Sequence, residues 1–342
     1  MAEILKPENY PEYEAFASSH KNGSFTQSYR WGGVKKNWKS EIIVSRNSAG
    51  EIKGGMLVLI QKLPIFKNTL LYAPRGPVMD YSDKETLLDL IEGVKELGKK
   101  YNAYQFKCDP FIEANDKEGI ELFKSVGFSF KEGAGLHDCI QTRHNYMLEN
   151  LSGKTEADLL KHFGSKTKYK VTYGAKKGVV CKVLPVEEID DFYKVYGETG
   201  DRQNFTVRPK SYLENMVRSL GDYARIYVCY YEGEPLCGGI AVTFAGKTCH
   251  VYGGSTNAHR ELRATYLLQL EMMKWALEDG SDIYDMQGVV IDEKESPELY
   301  GVYQFKQSFS GTLKEYAGEF DYNLNKPMSL LVKIAGKIKK AR

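Results

Sequence analysis

An internal repeat constrains this chain more than any other sequence feature. A strand, a glycine-containing turn and a second strand that opens with Gly-Gly occupy 41–63 and recur at 224–246. Both hairpins are followed by a strand, a long helix-period segment, another strand and a short helix, and matching landmarks stay 180 to 184 residues apart. This order predicts two copies of one α+β module of about 130 residues. The landmark pairs after the hairpins are Tyr72 and Tyr252, 84–100 and 263–280, 103–110 and 283–290, and 119–128 and 301–309.

The order of elements in each copy indicates a known architecture. A helix-period segment precedes each hairpin, at 10–19 and at 186–197. Helix, hairpin, strand, long helix, strand and short helix is the order of the acyltransferase fold best known from CoA-dependent N-acetyltransferases, the GNAT fold, in which splayed central strands form a cleft. The predicted fold class is therefore α+β, with two duplicated GNAT-like (acyl-CoA N-acyltransferase fold) domains.

The net charge of the chain conceals a strong segregation. With 47 lysines and arginines against 45 aspartates and glutamates the sum is +2, which by itself argues against a polyanionic partner. Residues 161–182 nevertheless carry seven lysines and no acid, and 326–342 carry six basic residues and no acid. Without these 13 charges the remainder has 34 basic and 45 acidic residues, a balance of -11. Charge alone favours two solvated lysine-rich faces over a surface for a polyanion.

Composition and residue spacing exclude several classes of protein. With 42% apolar residues, 27% charged residues and a mean hydropathy of -0.44, the chain is neither disordered nor fibrous. No apolar run approaches the roughly 18 residues of a membrane span, and the N-terminus lacks the blocks of a signal peptide, so we expect a cytoplasmic protein. Six cysteines without a C-x-x-C pair and six histidines without a metal-binding pattern predict reduced thiols, no metal and no cofactor.

The turn before the second long helix bears on the acyl donor. CoA-dependent enzymes of this fold hold the pyrophosphate with a glycine-rich turn whose N–H groups stand at a helix N-terminus. The turn here reads R-E-L-R-A-T over 260–265, and Arg263 stands where the critical glycine should be. This sequence disfavours CoA, and no Walker or dinucleotide motif indicates another nucleotide. An aminoacyl-tRNA is both an activated acyl ester and a polyanion, and it would suit the lysine-rich strips.

Motifs spread over nearly the whole chain resemble those of the FemABX family, the tRNA-dependent aminoacyltransferases that build the peptide cross-bridges of bacterial peptidoglycan. The chain shows no heptads for the coiled-coil insertion that many members carry, and so it is similar to the short, FemX-like branch. The matching stretches are FTQSYRWGGVKKNW (25–38), LLYAPRGPVMD (70–80), KTKYKVTYGAKKGVVCKV (166–183), FTVRPKSYLENM (205–216), YDMQGVV (284–290) and GVYQFKQSFSG (301–311).

The resemblance implies a domain division and an acceptor. In the short branch the C-terminal segment returns to the first domain, which implies domains of 1–147 with 318–342 and of 148–317, with a basic connector at 161–182. The acceptor is UDP-MurNAc-pentapeptide or its lipid-linked form, lipid II, and the short branch is similar to enzymes that use the nucleotide form. The segment 326–342 can be read as a basic amphipathic helix that touches an anionic membrane, but we favour packing of its apolar stripe on the first domain.

The resemblance also implies residues that bind the acceptor. Lys36 and Arg208 look like the pair that grips the precursor's pyrophosphate, a task that suits an ammonium and a fixed guanidinium. Tyr212, four residues after Arg208 and so on the same helix face, and Tyr252 and Tyr104 resemble further precursor contacts. Core packing is the alternative for each tyrosine, since the chain has 24 of them.

A third set of residues is implied at the reacting centre and on the donor. Asp109 resembles a carboxylate that orients or deprotonates the acceptor amine, although a carboxylate before a proline is more often a cap or a turn former. Lys306 would bind the tRNA end or the developing oxyanion, and the Phe305 carbonyl would receive the proton of the amine. For tRNA the resemblance implies Lys166, Lys168 and Lys170, where the family commonly has arginines, so that phosphate attraction is kept and bidentate binding is lost.

These features favour a monomeric aminoacyltransferase that moves alanine, serine or glycine from aminoacyl-tRNA to a stem-peptide amine of a peptidoglycan precursor. Aligning donor and acceptor, removing a proton and stabilising an oxyanion would suffice for this downhill aminolysis. One alternative is a CoA-dependent N-acyltransferase that acts on a small-molecule amine. Another is a catalytically silent protein that binds RNA or wall precursors.

Overall fold

The chain folds into two compact units. The computed structural model describes residues 2–64, 67–130, 139–203 and 206–340, without the side chains of 333 and 335–340. The first unit comprises Met1–Arg143 and Glu315–Arg342, and the second comprises His144–Lys314. Among the described residues, no helix is both long enough and apolar enough to span a bilayer.

One mixed sheet and five helices of the described chain make up the first unit. The strands are β1 (Glu3–Ile4), β2 (Lys39–Arg46), β3 (Ile52–Lys62), β4 (Thr69–Ala73), β5 (Val78–Met79), β6 (Ala103–Cys108), β7 (Ser129–Phe130) and β15 (Phe320–Asn323). The helices are α1 (Tyr10–Ser19), α2 (Arg30–Val34), α3 (Lys84–Lys100), α4 (Lys117–Ser125) and α11 (Lys326–Lys340). The strand order is β1-β2-β3-β4-β6-β15-β7, with β5 on β3, and the pair β4 and β6 is parallel.

The second unit repeats this plan. Its strands are β8 (His144–Leu148), β9 (Val180–Leu184), β10 (Ala224–Tyr231), β11 (Glu234–Phe244), β12 (Lys247–Ser255), β13 (Ile283–Gly288) and β14 (Thr312–Glu315). Its helices are α5 (Glu156–His162), α6 (Gly164–Lys176), α7 (Asp190–Gln203), α8 (Lys210–Leu220), α9 (Ala264–Glu278) and α10 (Pro297–Gln307). The strand order is β14-β8-β13-β12-β11-β10-β9, and β12 and β13 form the parallel pair.

The predicted duplication is confirmed element by element. The hairpin β2–β3, then β4, α3, β6 and α4 correspond to β10–β11, β12, α9, β13 and α10. In both sheets the parallel pair follows an antiparallel hairpin, because the long helix returns the chain to the edge of the same sheet. The α+β class with two duplicated domains therefore holds.

Each repeat ends in a strand that completes the sheet of the other unit. The strand β8 follows the first repeat but lies between β14 and β13, whereas β15 follows the second repeat but lies between β6 and β7. Strand pairing thus places 144–147 in the second unit, and the division into compact units places 315–317 in the first, although Glu315 is the last residue of β14. The units consequently begin and end a few residues before the boundaries at 147 and 317 that the sequence suggested.

The long helices show how the sequence directs local structure. The carboxylate of Asp83 accepts a hydrogen bond from the Thr86 N–H (2.9 Å) and caps α3. The helix α3 buries one stripe of apolar side chains, and full burial of each such side chain stabilises the fold by about 1.5–3 kcal/mol. In contrast, α9 is apolar on several faces because it packs both on the second sheet and along α6. The buried stripe of α3 comprises Leu87, Leu90, Ile91, Val94 and Leu97.

Both lysine-rich strips are helical, and both differ from expectation. The strip 161–182 includes α6, which packs on α9, so most of it is a surface of the second unit rather than a free connector. In α11, Leu330, Leu331 and Ile334 are exposed, at 61%, 53% and 47%. The favoured packing of this apolar stripe on the first domain is therefore wrong for these three residues. The side chain of Ile338, a fourth member of the stripe, lies outside the described part of the helix.

Candidate active site

Lys306 is a buried lysine held by the end of a strand. It lies on α10 with 8% of its surface exposed, and its Nζ donates to the carbonyls of Gln287 (3.1 Å) and Gly288 (2.8 Å). Gln287 has a left-handed backbone (φ 64°), which turns consecutive carbonyls toward the ammonium. The carboxylate of Asp285 holds this turn, because it accepts from the Gln287 N–H (2.7 Å) and from its side-chain amide (3.0 Å).

The environment of Lys306 lowers the pH at which its ammonium loses a proton. Burial lowers its pKa to about 8, and the carboxylate of Asp285 opposes part of that shift. Nearby, His250 accepts a hydrogen bond from the Gln269 amide, whose oxygen accepts from Tyr284, and burial lowers the pKa of His250 to about 4. His250 is therefore neutral near pH 7, and Lys306 is the group that changes charge in this range.

Phe305 joins this lysine to an open cleft. Its ring packs against Tyr266 (centroids 4.9 Å apart) and Phe309 (5.4 Å) and lines the cleft. Its carbonyl accepts the Ser308 hydroxyl (2.6 Å) and the Ser308 N–H (3.1 Å). A carbonyl has two lone pairs, so the expected transfer of a substrate proton to this oxygen would compete with Ser308.

The cleft of the second unit, about 740 Å³ in volume, is strongly basic. Arg202, Arg260 and Arg263 line it together with His259 and Phe305. Arg202 donates to the Ser255 carbonyl (2.8 Å), and both Arg202 and Arg260 donate to the Asn257 side chain. Burial and the charge of Arg260 lower the pKa of Arg202. Guanidinium groups that are held together by neutral acceptors form a site suited to an anion.

The turn that enters α9 differs from the glycine-rich turn that holds a CoA pyrophosphate. His259 and Arg263 have left-handed backbones (φ 50° and 55°), and Arg263 occupies the position at which the sequence lacks the expected glycine. The N–H groups of Leu262, Arg263 and Tyr266 already donate to carbonyls of the turn, at 2.9 to 3.1 Å. Three N–H groups of this turn are thus bound to its own carbonyls, and arginine side chains supply positive charge beside it.

Arg208, Tyr212 and Tyr252 lie together in the second unit, as expected from the sequence. Arg208 precedes Pro209 at the start of α8, and its guanidinium lies over the Tyr212 ring, 5.5 Å from the centroid. Burial and the neighbouring Tyr212 raise the pKa of Tyr252. The ring of Tyr196 contacts Tyr252 with centroids 5.9 Å apart. The cluster combines a cation with aromatic hydroxyl groups, which can bind phosphate or sugar oxygens.

The predicted site residues of the first unit have different environments. Asp109 is 1% exposed, and its carboxylate accepts from the Tyr72 hydroxyl (2.7 Å) and the Arg75 N–H (2.6 Å). Burial raises its pKa to about 6. Tyr104 is buried, and its carbonyl accepts from the N–H groups of 324 and 325 ahead of α11. Lys36 is exposed just beyond α2.

The three lysines predicted for tRNA all lie on α6 but differ in role. Lys166 and Lys168 are exposed, whereas Lys170 is half-buried against Tyr266. The exposed ring of Tyr169 contacts Tyr173 with centroids 5.2 Å apart, and Lys177 lies 5.8 Å from the Tyr173 ring centroid. Lysines interleaved with accessible aromatic rings are typical of surfaces that bind single-stranded nucleic acid.

Sequence reasoning missed the arginine cleft and the aromatic residue that connects it to α6. Arg263 was recognised only as an obstacle to CoA, although its replacement of a glycine was the available signal of a different anion site. Arg202, Arg260 and Tyr266 form no linear motif, and only the packing of α7, α9 and α10 brings them near Phe305. Among the described residues, no group of three or more His, Cys, Asp or Glu is arranged to hold a metal.

Comparisons with known proteins identify the family to which the chain belongs. A profile of the FemAB family matches residues 9–232 and 230–337. The lipid II:glycine glycyltransferase of Staphylococcus epidermidis is 30% identical over 403 aligned positions, covering 97% of this chain and 95% of the relative. The alignment is longer than the 342 residues of this chain, so the relative carries inserted residues, in agreement with the short branch.

Solved structures extend the comparison. A crystal structure of FemX superposes with a TM-score of 0.88 at 27% identity, covering 97% of this chain and 99% of that one. A tandem GNAT protein from clavulanic acid biosynthesis, 10% identical with a TM-score of 0.55, shares the fold and covers 95% of this chain and 98% of its own. The GNAT-like fold and the family resemblance are thereby confirmed, and the chain belongs to the FemAB family of aminoacyltransferases.

Proposed function

We propose that this protein transfers a small amino acid, glycine, alanine or serine, from aminoacyl-tRNA to a stem-peptide amine of a peptidoglycan precursor in the cytoplasm. The observation that carries the proposal is the arginine-lined cleft that ends at Phe305, with the buried Lys306 next to it in α10. This arrangement offers an anion site for the donor beside a group that can stabilise an oxyanion. The S. epidermidis relative, a lipid II:glycine glycyltransferase, supports bridge synthesis as the process.

The donor would enter with its single-stranded 3′ end in the cleft. Arg202, Arg260 and Arg263 would bind the phosphates of the terminal nucleotides, and the Phe305 ring would contact a base or the ribose. The exposed Lys166 and Lys168 would attract the phosphates of the tRNA body. Arg263 in place of the expected glycine favours this donor over the CoA alternative, as do the turn carbonyls that already accept from the N–H groups of Leu262 and Tyr266.

Transfer would proceed by direct aminolysis. The neutral amine of the acceptor attacks the ester carbonyl, a tetrahedral oxyanion forms, and the ester C–O bond breaks. The amine loses one proton, and the departing ribose oxygen gains one, so no external reactant is needed. Two N–H donors of Lys306 are used by Gln287 and Gly288, and the third would stabilise the oxyanion.

We assign Asp109 a positioning role in the first unit. Its two carboxylate oxygens accept from Tyr72 and Arg75, and the side chain is 1% exposed. These contacts support Asp109 as the residue that orders the loop at Arg75, and direct proton removal from a substrate would require that loop to open. This role modifies the catalytic one that the family resemblance implies.

For the acceptor, we propose that Arg208, Tyr212 and Tyr252 bind the phosphate and sugar groups of the precursor. The guanidinium over the Tyr212 ring and the adjoining Tyr252 hydroxyl support this assignment. We propose separately that Lys36 and Tyr104, in the first unit, contribute to binding of the precursor. Because the carbonyl of the buried Tyr104 anchors α11, substitution at this position would act first on the fold.

A transfer assay tests the function directly. Purified protein is incubated with pools of charged tRNA and with UDP-MurNAc-pentapeptide or lipid II in parallel, and the products are analysed by mass spectrometry. The expected product gains the mass of one or more glycine, alanine or serine residues on a stem-peptide amine. Acetyl transfer from acetyl-CoA to small amines, with no product from any charged tRNA, would support the CoA alternative instead.

Variants distinguish the roles of the residues in the same assay. Lys36→Met and Arg208→Met should weaken binding of the nucleotide precursor, whereas Lys306→Met should lower turnover and leave that binding intact. The exposed Arg218, which pairs with Glu187 on the surface, offers a matched control as Arg218→Ala. Unchanged precursor affinity in both Lys36→Met and Arg208→Met would contradict the acceptor assignment.

A further inference from the structure

We propose that α11 docks the protein on the surface of an anionic membrane. Three large apolar side chains, Leu330, Leu331 and Ile334, are about half exposed or more on this helix. No other helix or strand of the described chain carries three exposed large apolar residues; β9, with Val180 and Val183, comes nearest. A contiguous apolar stripe on one helix differs from the scattered exposed residues that are normal on a protein surface.

The apolar stripe faces away from the first unit. Ser329 is buried, and its hydroxyl donates to the Tyr104 carbonyl (3.1 Å), while Met328 and Val332 are half-buried beside it. In a helix of 3.6 residues per turn, Leu330 and Ile334 lie on the side opposite to Ser329 and Val332. The contact of α11 with β6 therefore uses one face of the helix and leaves the leucine-rich face to another partner.

The start of α11 is fixed firmly enough to present that face. The N–H groups of Leu324 and Asn325 donate to the Tyr104 carbonyl (3.0 and 2.9 Å), and the Asn325 side chain accepts from the Met328 N–H (3.1 Å). The asparagine thus caps the first turn while strand β6 holds the residues before it. The helix is attached along its first turns, and its exposed apolar side chains have a defined direction.

Charge decides which partner fits the exposed face. The segment 326–342 contains six basic residues and no acid. Positions 326, 333, 337 and 340 are spaced by seven, four and three residues, and so they share one stripe of the helix, next to the apolar one. A second copy of this helix would bring like charges together, whereas anionic lipid headgroups attract lysines and their acyl region accepts leucine side chains.

This inference deepens the proposed function. A lipid-linked acceptor is confined to a membrane surface, and the S. epidermidis relative is a lipid II:glycine glycyltransferase. Docking through α11 would concentrate the enzyme at that surface, which favours the lipid-linked acceptor over the nucleotide-linked one. The binding itself requires neither donor nor acceptor, and it can therefore be tested apart from the proposed function.

Sedimentation with vesicles tests the inference on the full chain. Vesicles of phosphatidylcholine with phosphatidylglycerol should pull down the protein, pure phosphatidylcholine vesicles should pull down much less, and added salt should weaken binding. The affinity of the variant Leu330→Ser/Leu331→Ser/Ile334→Ser for the anionic vesicles should be lower by at least about tenfold. The matched control, Leu88→Ser/Val180→Ser/Val183→Ser, removes apolar residues of similar exposure elsewhere and should bind like the wild type.

Three results would overturn the inference. They are absence of wild-type binding to anionic vesicles, equal binding by the α11 variant, and a wild-type dimer that the α11 variant converts to a monomer without any vesicle binding. The last result would assign the stripe to a second copy of the chain. Unchanged thermal unfolding and unchanged transfer to a nucleotide-linked acceptor would show that the α11 variant is folded and active. If the wild-type protein transfers no amino acid, that result counts against the proposed function and not against membrane docking.

Discussion

The ammonium of Lys170 lies 4.8 Å from the centre of the Tyr266 ring and donates a hydrogen bond of 3.0 Å to the Tyr266 hydroxyl. Tyr266 in turn packs against Phe305, so one chain of contacts joins the lysine-rich helix α6 to the arginine cleft. Of the three lysines that the sequence indicated, Lys170 is thus part of the structure around the cleft, whereas Lys166 and Lys168 face the solvent.

Lys170→Met should affect catalysis in a way that Lys168→Met does not. Removing Lys170 takes from Tyr266 its cation and the hydrogen bond which that cation donates, and leaves the weaker one from Ser308. The Phe305 ring then loses support, so we expect kcat to fall by about tenfold. Lys168→Met should only raise the KM for aminoacyl-tRNA, by about twofold to fivefold, and reduce the salt dependence of that KM. Steady-state kinetics at two salt concentrations separate these effects. Equal changes in kcat for both variants would contradict a specific role for Lys170.

Lys306 should impose a descending limb on the pH profile of kcat. Its pKa of about 8 means that the ammonium, the form that stabilises an oxyanion, is lost as the pH rises through 8. Lys306→Met should lower kcat by about a hundredfold at pH 7. Lys306→Arg keeps a charge at every accessible pH, and so its residual activity should show no decline near pH 8. A wild-type limb that persists unchanged in Lys306→Arg would assign the limb to another group.

The two cation sites of the second unit should separate donor from acceptor. Arg263→Ala should raise the KM for aminoacyl-tRNA by about tenfold to a hundredfold and leave the KM for the precursor unchanged, because a charge-assisted bond to phosphate is lost. Arg208→Ala should do the reverse. The measurement is a pair of KM values for each variant, with Arg218→Ala as the surface control. A common rise of both KM values in Arg263→Ala would indicate a general loss of structure.

Asp109 should make the fold more stable in mild acid. Its pKa is about 6 in the folded protein against an ordinary value of 3.8, so the native state binds more protons than the unfolded state between these values. This contribution to the free energy of unfolding is greatest below pH 3.8 and declines by about 3 kcal/mol as the pH rises through 6. Asp109→Asn should remove that pH dependence. Urea unfolding of both proteins at pH 4.5 and pH 7 measures the difference.

A positioning role for Asp109 predicts a kinetic signature as well. Arg75 has a left-handed backbone (φ 56°), a conformation that costs about 1–2 kcal/mol for a residue other than glycine, and Asp109 stabilises it through the Arg75 N–H. The Arg75 side chain also donates to the Thr142 carbonyl (2.7 Å) and lies over the Phe111 and Tyr316 rings, so Arg75→Gly has a cost of its own. Arg75→Gly should therefore lower kcat and the free energy of unfolding less in Asp109→Asn than in the wild type. A direct catalytic carboxylate predicts instead that the two substitutions lower kcat by independent factors.

The sequence predicted the elements of the fold well because they depend on local periodicity and on the repeat. The helices 10–19 and 84–100 have the predicted bounds. The Gly-Gly pairs lie within the second strand of each hairpin rather than at its start, because β3 begins at Ile52 and β11 at Glu234. The family resemblance implied that 318–342, and so β15, returns to the first unit. It did not reveal that β8 joins the sheet of the second unit, because strand pairing between distant segments leaves no periodic signal. The unit boundaries differ for that reason.

How well the sequence predicted the candidate site depended on whether its residues belong to recognisable motifs. Arg208, Tyr212 and Tyr252 do lie together, but Arg208 precedes the first residue of α8, so the helix face that the sequence suggested does not explain its contact with Tyr212. The arginine cleft was not predictable, because its residues come from three separate segments. The C-terminal stripe was misjudged since periodicity shows that a helix has an apolar face but not which partner covers it.

The late position of β15 in the chain has a consequence for synthesis on the ribosome. Residues 144–314 form a contiguous unit, and so they can fold as soon as they have emerged. The first unit, although made earlier, lacks the strand between β6 and β7 until residues 320–323 appear, and until then the edge of β6 is an unpaired template. The nascent N-terminal half therefore exposes an unpaired strand edge, a site at which chains can aggregate, for as long as the second unit is being synthesised.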